Sequence, residues 1–252
     1  MKLKTILSNI VTATPLAYFP TRVQAGPAKG ARWTLAPFSY NWRSGGEADL
    51  RAGLNKLNRL EGAVGWDFGA HFGIATVGMA MQVGSQGQVA AFEPDPGAFR
   101  RLAYHVRINK LTNVRLFQAA ISAVEGTSKL VATHGLGSSM SHFQYEDEQL
   151  NANSQTIDVN TLAPDDLVRK GEIRLPDVIK VDVQGHGAKA LTGSIESIKA
   201  KRPVIIFSNH SQWELAGTRT LLEPLGYHVE SLDGQRVSWD YLNQESGLLL
   251  PT

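Results

Sequence analysis

Val64-Gly65-Trp66-Asp67-Phe68-Gly69-Ala70-His71-Phe72-Gly73 begins as a short apolar run and ends as a glycine-bearing loop. Residues 64–68 read as a strand and residues 73–83 as the helix that follows it, which is the start of a strand–helix–strand crossover. The same alternation continues outward. Residues 88–92 read as the second strand, 96–110 as a helix with Pro96 at its first position, and 114–119 as the third strand. Shorter strands follow at 126–133 and 156–159, around a polar segment, 135–153, that carries no period. A nearly continuous apolar strand at 178–183 then leads to a helix at 188–200, a strand at 203–207 and a helix at 212–225 closed by Gly226. Asp233-Gly234, between apolar runs 227–232 and 236–241, predicts a terminal hairpin. The expected fold is α/β, a Rossmann-like, doubly wound, mostly parallel sheet ending in an antiparallel hairpin.

At 252 residues, with no internal repeat, the chain fits one core: a domain over 61–252 carrying an N-terminal extension, 1–60, expected to pack on it. Residues 1–60 hold nine Lys or Arg against Glu47 and Asp49, whereas the remainder holds sixteen against twenty-one acids. The extension is therefore basic and the body acidic, which argues against nucleic acid as a partner of the body. Lys2, Lys4, Arg22, Lys29, Arg32 and Arg43 are scattered, as on a solvated face. Lys2 and Lys4 before residues 6–19, with Val23-Gln24-Ala25 beyond, imitate a secretory signal, but Ser8, Asn9, Thr12, Thr14 and Pro15 interrupt the apolar stretch. No membrane span is expected, and a cytoplasmic protein is. With no cysteine, thiolate metal sites and cysteine nucleophiles are excluded.

Open parallel sheets bind ligands at the carboxyl ends of their strands, so candidate chemistry is sought there. Gly69 and Gly73 permit a tight turn beside the Asp67 carboxylate, in a pattern that is not G-x-G-x-x-G. Glu93 ends the second strand twenty-six residues after Asp67, where a carboxylate accepts hydrogen bonds from ribose hydroxyls. Asp67 and Glu93 together outline a nucleoside pocket; the plainer alternative for Glu93 is a carboxylate at a helix start.

Five motifs stand in order: V-G-W-D-F-G-A-H-F-G (64–73), A-F-E-P-D-P-G-A-F-R-R-L (91–102), A-A-I-S-A-V-E-G-T (119–127), V-I-K-V-D-V-Q-G-H-G (178–187) and L-L-E-P-L-G-Y (221–227). The set resembles the FkbM-type S-adenosylmethionine-dependent methyltransferases, from about Ala28 to Asp233. The resemblance implies S-adenosyl-L-methionine as cofactor, with Asp67, Gly69, Ala70, His71 and Gly73 around its methionine part, Glu93 on the ribose, and Ala120 and Ile121 along the adenine. It also points to O-methylation of a small hydroxylated metabolite or sugar, though a nitrogen acceptor fits the same chemistry. A sulfonium cofactor has no pyrophosphate and calls for an acidic neighbour, which Asp67 provides.

The family pattern D-V-E-G with a second acid close behind is here Asp182-Val183-Gln184-Gly185-His186-Gly187, so both glutamate positions are absent. Gln184 takes no proton, which puts a paired-carboxylate mechanism in doubt. The next strand end brings Ser208-Asn209-His210, with Trp213 and Glu214 beyond. His210, or else His186, is the candidate general base, with Asp182 or Glu214 orienting the ring; the alternative is a pair of polar loop histidines. As metal ligands these four lack H-x-x-x-H or H-E-x-x-H spacing, and no metal is expected. Trp33, Trp42 and Trp213 read as core anchors, and the 135–153 segment as a substrate lid or an ordinary surface loop. The alternatives are a nicotinamide-dependent oxidoreductase, whose glycine fingerprint is missing, and a non-catalytic nucleoside-binding protein of the same fold.

Overall fold

The computed structural model describes residues 20–34, 48–132, 142–143, 155–243 and 245–252. In chain order the elements are β1 (Pro20–Arg22), β2 (Arg32–Thr34), α1 (Ala48–Leu54), β3 (Val64–Phe68), α2 (Ile74–Val83), β4 (Gln88–Phe92), α3 (Pro96–Ile108) and β5 (Val114–Phe117). Then come β6 (Ala120–Ile121), β7 (Gly126–Ala132), β8 (His142–Phe143), β9 (Gln155–Leu162), α4 (Pro164–Arg169), β10 (Val178–Val181), α5 (Gly187–Thr192) and α6 (Ile195–Lys201). The chain closes with β11 (Val204–Phe207), α7 (Gln212–Leu222), β12 (Tyr227–Glu230), β13 (Arg236–Val237) and β14 (Gly247–Pro251).

The main sheet has eight strands in the order β13-β12-β14-β11-β10-β3-β4-β5. From β11 to β5 every pairing is parallel, while β14 runs antiparallel to both β11 and β12. Chain order reverses between β3 and β10, so this is the switch point where an open α/β sheet leaves a crevice. The ends are level there, with Val181 beside Phe68 and Phe68 beside Phe92.

Side-chain alternation covers both faces. Trp66, Phe68, Ile179, Val181, Ile205 and Phe207 pack with Ala190 and Leu191 of α5, Ile198 of α6, and Leu215 and Leu222 of α7. Val89, Val178, Val204 and Ile206 face the other way, against Leu50 and Leu54 of α1 and Met79, Ala80 and Val83 of α2. The period of two thus assigns Asp67 and Lys180, partners in the β3–β10 register, to the α1–α2 side.

Several boundaries depart from the sequence reading. The expected strand 114–119 stops at Phe117, and Ala120–Ile121 joins a second, four-stranded sheet of order β6-β9-β7-β8. The expected helix 188–200 is two helices, because the Asp165 carboxylate accepts from the backbone N–H of Glu196 (2.9 Å) and Ser197 (3.0 Å), capping α6 from a remote segment. The helix expected over 212–225 ends at Leu222 and tightens into a 3₁₀ turn, Glu223–Leu225, before Gly226 at φ 78°. The hairpin forms with only Val229–Val237 and Glu230–Arg236 paired, and β14, which the sequence reading omits, takes its other edge. In the described part of the extension, residues 48–54 form α1. Residues 6–19, Phe38, Tyr40, Trp42 and most of the 135–153 segment lie outside the described residues. No helix among the described residues is long and apolar enough to cross a membrane.

His105 on α3 ties β2 to the loop after β3. Its Nε2 accepts from the Thr34 hydroxyl (2.9 Å) and the Thr34 N–H (3.3 Å), its Nδ1 donates to the Phe72 carbonyl (2.7 Å), and Trp33 stacks on the ring with centroids 3.6 Å apart. Burial pushes its pKa down to about 4. A histidine whose folded pKa lies below its unfolded value contributes stability above the unfolded pKa and loses it as pH falls through the folded one. Urea unfolding is therefore expected to show stability falling by roughly 3 kcal/mol between pH 7 and pH 4 on this account, with a flatter slope in His105→Leu.

Candidate functional site

The loop after β3 is folded onto β4 by its own amides. Gly69 N–H (3.1 Å) and Ala70 N–H (3.0 Å) both donate to the Phe92 carbonyl, Gly73 N–H donates to the Ala70 carbonyl (2.8 Å), and His71 N–H donates to Glu93 Oε2 (2.7 Å). Four loop amides are thereby engaged within the protein and are not offered to a pyrophosphate. Gly69, at φ 80°, allows the closest approach: a Cβ there would stand 2.0 Å from the Asp182 carbonyl oxygen. His71 also takes a left-handed conformation, φ 50°, and stacks on Phe72.

Asp67 is fully buried. One carboxylate oxygen accepts from the Thr76 hydroxyl on α2, while the other, Oδ1, has no hydrogen-bond partner. Burial pushes its pKa up, opposed by the charge of Lys180. Glu93 is held by two backbone donors, His71 N–H and Asp95 N–H (2.8 Å), and burial pushes its pKa up to about 7. Ala120 and Ile121 are buried in apolar packing, Ala120 against Leu130 and Val159, Ile121 in the main core.

Across the switch point, Asp182 follows β10 and His210 follows β11. His210 Nε2 donates to Asp182 Oδ1 (2.8 Å), and Lys180 Nζ donates to Asp182 Oδ2 (3.2 Å). Burial alone would raise the Asp182 pKa; Lys180 and His210 outweigh it and hold the carboxyl well below the usual range. For His210, burial pulls the pKa down, and the bond and charge of Asp182, with Glu214 behind, outweigh it and raise it. The ring is 27% exposed, so solvent and ligand reach it. Gln184, at φ 49°, lies with its amide 3.4 Å from the same Nε2.

His186 stands apart from this pair, with Nε2 3.2 Å from Ser122 Oγ at the edge of the second sheet. Burial pushes its pKa down to about 4, so it is neutral at pH 7. The structure thus pairs the two candidate histidines with different partners. Glu214, offered as a group that orients the ring, instead holds backbone: Oε1 accepts from Gly187 N–H and Oε2 from His210 N–H, both at 2.7 Å, joining the β10 and β11 loops. A Cβ on Gly187 would stand 2.6 Å from Glu214 Oε1, so a side chain at that position would displace the Glu214 carboxylate.

Two residues escaped the sequence reading. Lys180 interrupts an otherwise apolar strand, and that interruption was the available signal. Trp213, expected in the core, is 89% exposed, whereas Trp33 is buried as expected. Among the described residues no group of three or more His, Asp or Glu side chains is arranged to hold a metal. A pocket of about 470 Å³ lies at the amino-terminal edge of the sheet, lined by Lys56, Arg59, Asp177, Lys201 and Arg202 among others. Lys56 pairs with Glu230, Lys201 with Asp177, and Arg202 donates to the Leu225 carbonyl, so the pocket holds structural ion pairs and stands away from the switch point.

Residues 67–229, which include both strand-end carboxylates and the Asp182–His210 pair, match the Methyltransferase FkbM domain. The chain belongs to the FkbM methyltransferase family. The hexuronic acid methyltransferase AglP of Haloferax volcanii is 28% identical over 188 residues, covering 70% of this chain and 69% of that protein. The crystal structure of Methyltransferase FkbM from Methylobacillus flagellatus KT superposes with a TM-score of 0.52 at 17% identity, over 78% of this chain and 45% of that one. The chain thus spans less than half the length of that structure, and the likeness shows the fold alone.

In this FkbM methyltransferase the clamp made by Glu214 fixes the distance between the β10 and β11 loops. Glu214→Ala leaves two backbone donors without acceptors and is expected to cost roughly 2 to 4 kcal/mol in urea unfolding. Glu214→Gln, which keeps one acceptor oxygen, is expected to fall between Ala and wild type.

Proposed function

We propose that this chain is an S-adenosyl-L-methionine-dependent methyltransferase that methylates an oxygen of a small hydroxylated molecule, a sugar or sugar acid above all, with His210 as general base. The observation that carries the reading is the hydrogen-bonded Asp182–His210 pair, exposed at the same sheet edge as Asp67 and Glu93. The identity with a hexuronic acid methyltransferase supports the acceptor class.

The residues present suit the cofactor. Glu93 carries the carboxylate for a ribose diol, and Asp67 keeps a buried oxygen without a partner. Gly69, Ala70, His71 and Gly73 form a compact turn whose amides are already engaged, as a ligand lacking pyrophosphate allows. Ala120 and Ile121 would border the adenine. When bound, S-adenosylmethionine supplies an electrophilic methyl group on a sulfonium sulfur.

The chain's own residues then have three tasks. His210, with Nε2–H directed at Asp182, leaves Nδ1 as the nitrogen that takes the acceptor's hydroxyl proton. Asp182 orients the ring and stabilises the imidazolium that results, and Lys180 keeps Asp182 ionised throughout. Holding acceptor and methyl donor in line supplies the larger part of the acceleration, with proton removal contributing about 10²-fold or more. His186, neutral and bonded near Ser122, is placed to border the acceptor rather than to titrate.

Calorimetry with S-adenosylhomocysteine tests the cofactor half. Glu93→Ala is expected to weaken binding by roughly 1 to 3 kcal/mol. Because ribose hydroxyls favour the ionised carboxylate, wild-type affinity is expected to fall as pH drops below about 7, the Glu93 pKa, and Glu93→Gln to lose that dependence. No binding in a folded protein would sink the reading.

Methyl transfer to hexuronic acid glycosides tests the other half. The rate is expected to rise with pH through a midpoint above the ordinary histidine value, because only the neutral ring accepts a proton and Asp182 raises its pKa. His210→Ala is expected to lower kcat about 100-fold or more while leaving S-adenosylhomocysteine affinity intact. Full activity in both His186→Ala and His210→Ala would remove general base catalysis from the mechanism, and loss of rate on chelation would bring in a metal.

A further inference from the structure

We propose that Trp213 is the stacking platform for the acceptor's ring and the residue that selects a pyranose over other hydroxyl-bearing molecules. The proposal rests on the sugar-methyltransferase reading above. Trp213 sits in the first turn of α7, whose inward side carries Glu214, Leu215, Thr218 and Leu222, all buried. The indole itself is 89% exposed, against 67% for Val124 and 40% for Met81, the other exposed large apolar side chains among the described residues. Scattered surface apolar residues are ordinary, but an indole left almost wholly in water forgoes more burial than any other side chain would.

Its position makes the exposure meaningful. Trp213 is three residues from His210, and a chain of that length places the two Cα atoms no more than roughly 10 Å apart. The intervening turn is closed on itself: Ser211 Oγ accepts from Glu214 N–H (3.1 Å) and Glu214 Oε2 accepts from His210 N–H (2.7 Å). The Trp213 backbone is therefore held at a fixed register to the base. A second apolar side chain, Val124, is exposed two residues beyond Ser122, the residue bonded to His186.

The chemistry on offer matches a pyranose. Such a ring is polar around its rim and apolar on its C–H faces, and those C–H bonds are polarised toward the electron-rich face of an indole. With one face against Trp213, the rim hydroxyls would stand edge-on, the orientation in which one of them reaches His210. A flat aromatic acceptor would stack by different physics and defines the competing outcome.

Initial rates of methyl transfer from S-adenosylmethionine to methyl glucuronoside and to catechol, in wild type, Trp213→Ala and Trp213→Phe, test the proposal. Trp213→Ala is expected to raise the glucuronoside KM about tenfold, with the S-adenosylmethionine KM and the pH midpoint unmoved, and Trp213→Phe to recover most of the loss. The indole N–H resonance of Trp213, identified by its absence in Trp213→Phe, is expected to shift on titration with glucuronoside in the presence of S-adenosylhomocysteine. Turnover of the glucuronoside with an unchanged KM in Trp213→Ala, or with an unmoved indole resonance, overturns the Trp213 proposal and leaves the sugar reading standing. Turnover of catechol but not glucuronoside by wild type overturns the sugar reading and this proposal with it.

Discussion

A lysine ammonium enclosed within the sheet is the constraint on which the site depends. Lys180 is 4% exposed on β10, opposite Asp67 in the β3 register and bonded to Asp182 at the strand's end. A buried cation is tolerated only when carboxylates compensate it, and removing one partner of such a set commonly costs roughly 3 to 5 kcal/mol. The two carboxylates on either side of the switch point are thus electrostatically joined through one side chain. Asp182 is kept ionised by it, and an ionised Asp182 is what orients His210 and raises its pKa. Glu214 performs the matching mechanical task, since its two oxygens hold the backbone of both loops.

Much of the architecture was legible because parallel strands covered on both faces leave a strong local signature. The runs at 64–68, 88–92, 178–183 and 203–207 are mostly apolar, and each is a strand at or within a residue or two of those limits. The features that escaped are those decided by distant groups. Asp165 caps α6 from 31 residues away, a contact that residues 188–200 do not announce, although Gly193 and Ser194 mark the break itself. β14 is a short apolar run whose partners, β11 and β12, are both earlier in the chain, so its place between them is a property of the assembled sheet.

The site divides in the same way. Asp67, Glu93 and Asp182 were marked by their positions at strand ends, and the topology brings those ends together. Spacing along the chain did not reveal which histidine meets Asp182, because the choice between His186 and His210 depends on how two loops are turned. Glu214 forces that turn, drawing in the backbone of both, and leaves His186 to Ser122. Trp213 carried no signal of its exposure either. A tryptophan one position away on the helix would have joined the core beside Leu215, and only the phase of α7 separates the two outcomes.

The insertion of β14 between β11 and β12 has a consequence for the order of folding. β12 and its partner β13 join the strand ladder of the main sheet through β14, so the hairpin has no strand to pair with there until residues 247–251 have been synthesised. Strands from β3 to β11 can pair in the order in which they emerge from the ribosome. The open edge of β11, flanked by the Phe207 end that leads to His210, must wait, and a nascent chain stalled before residue 247 would expose it as an unpaired apolar edge, a natural target for chaperones.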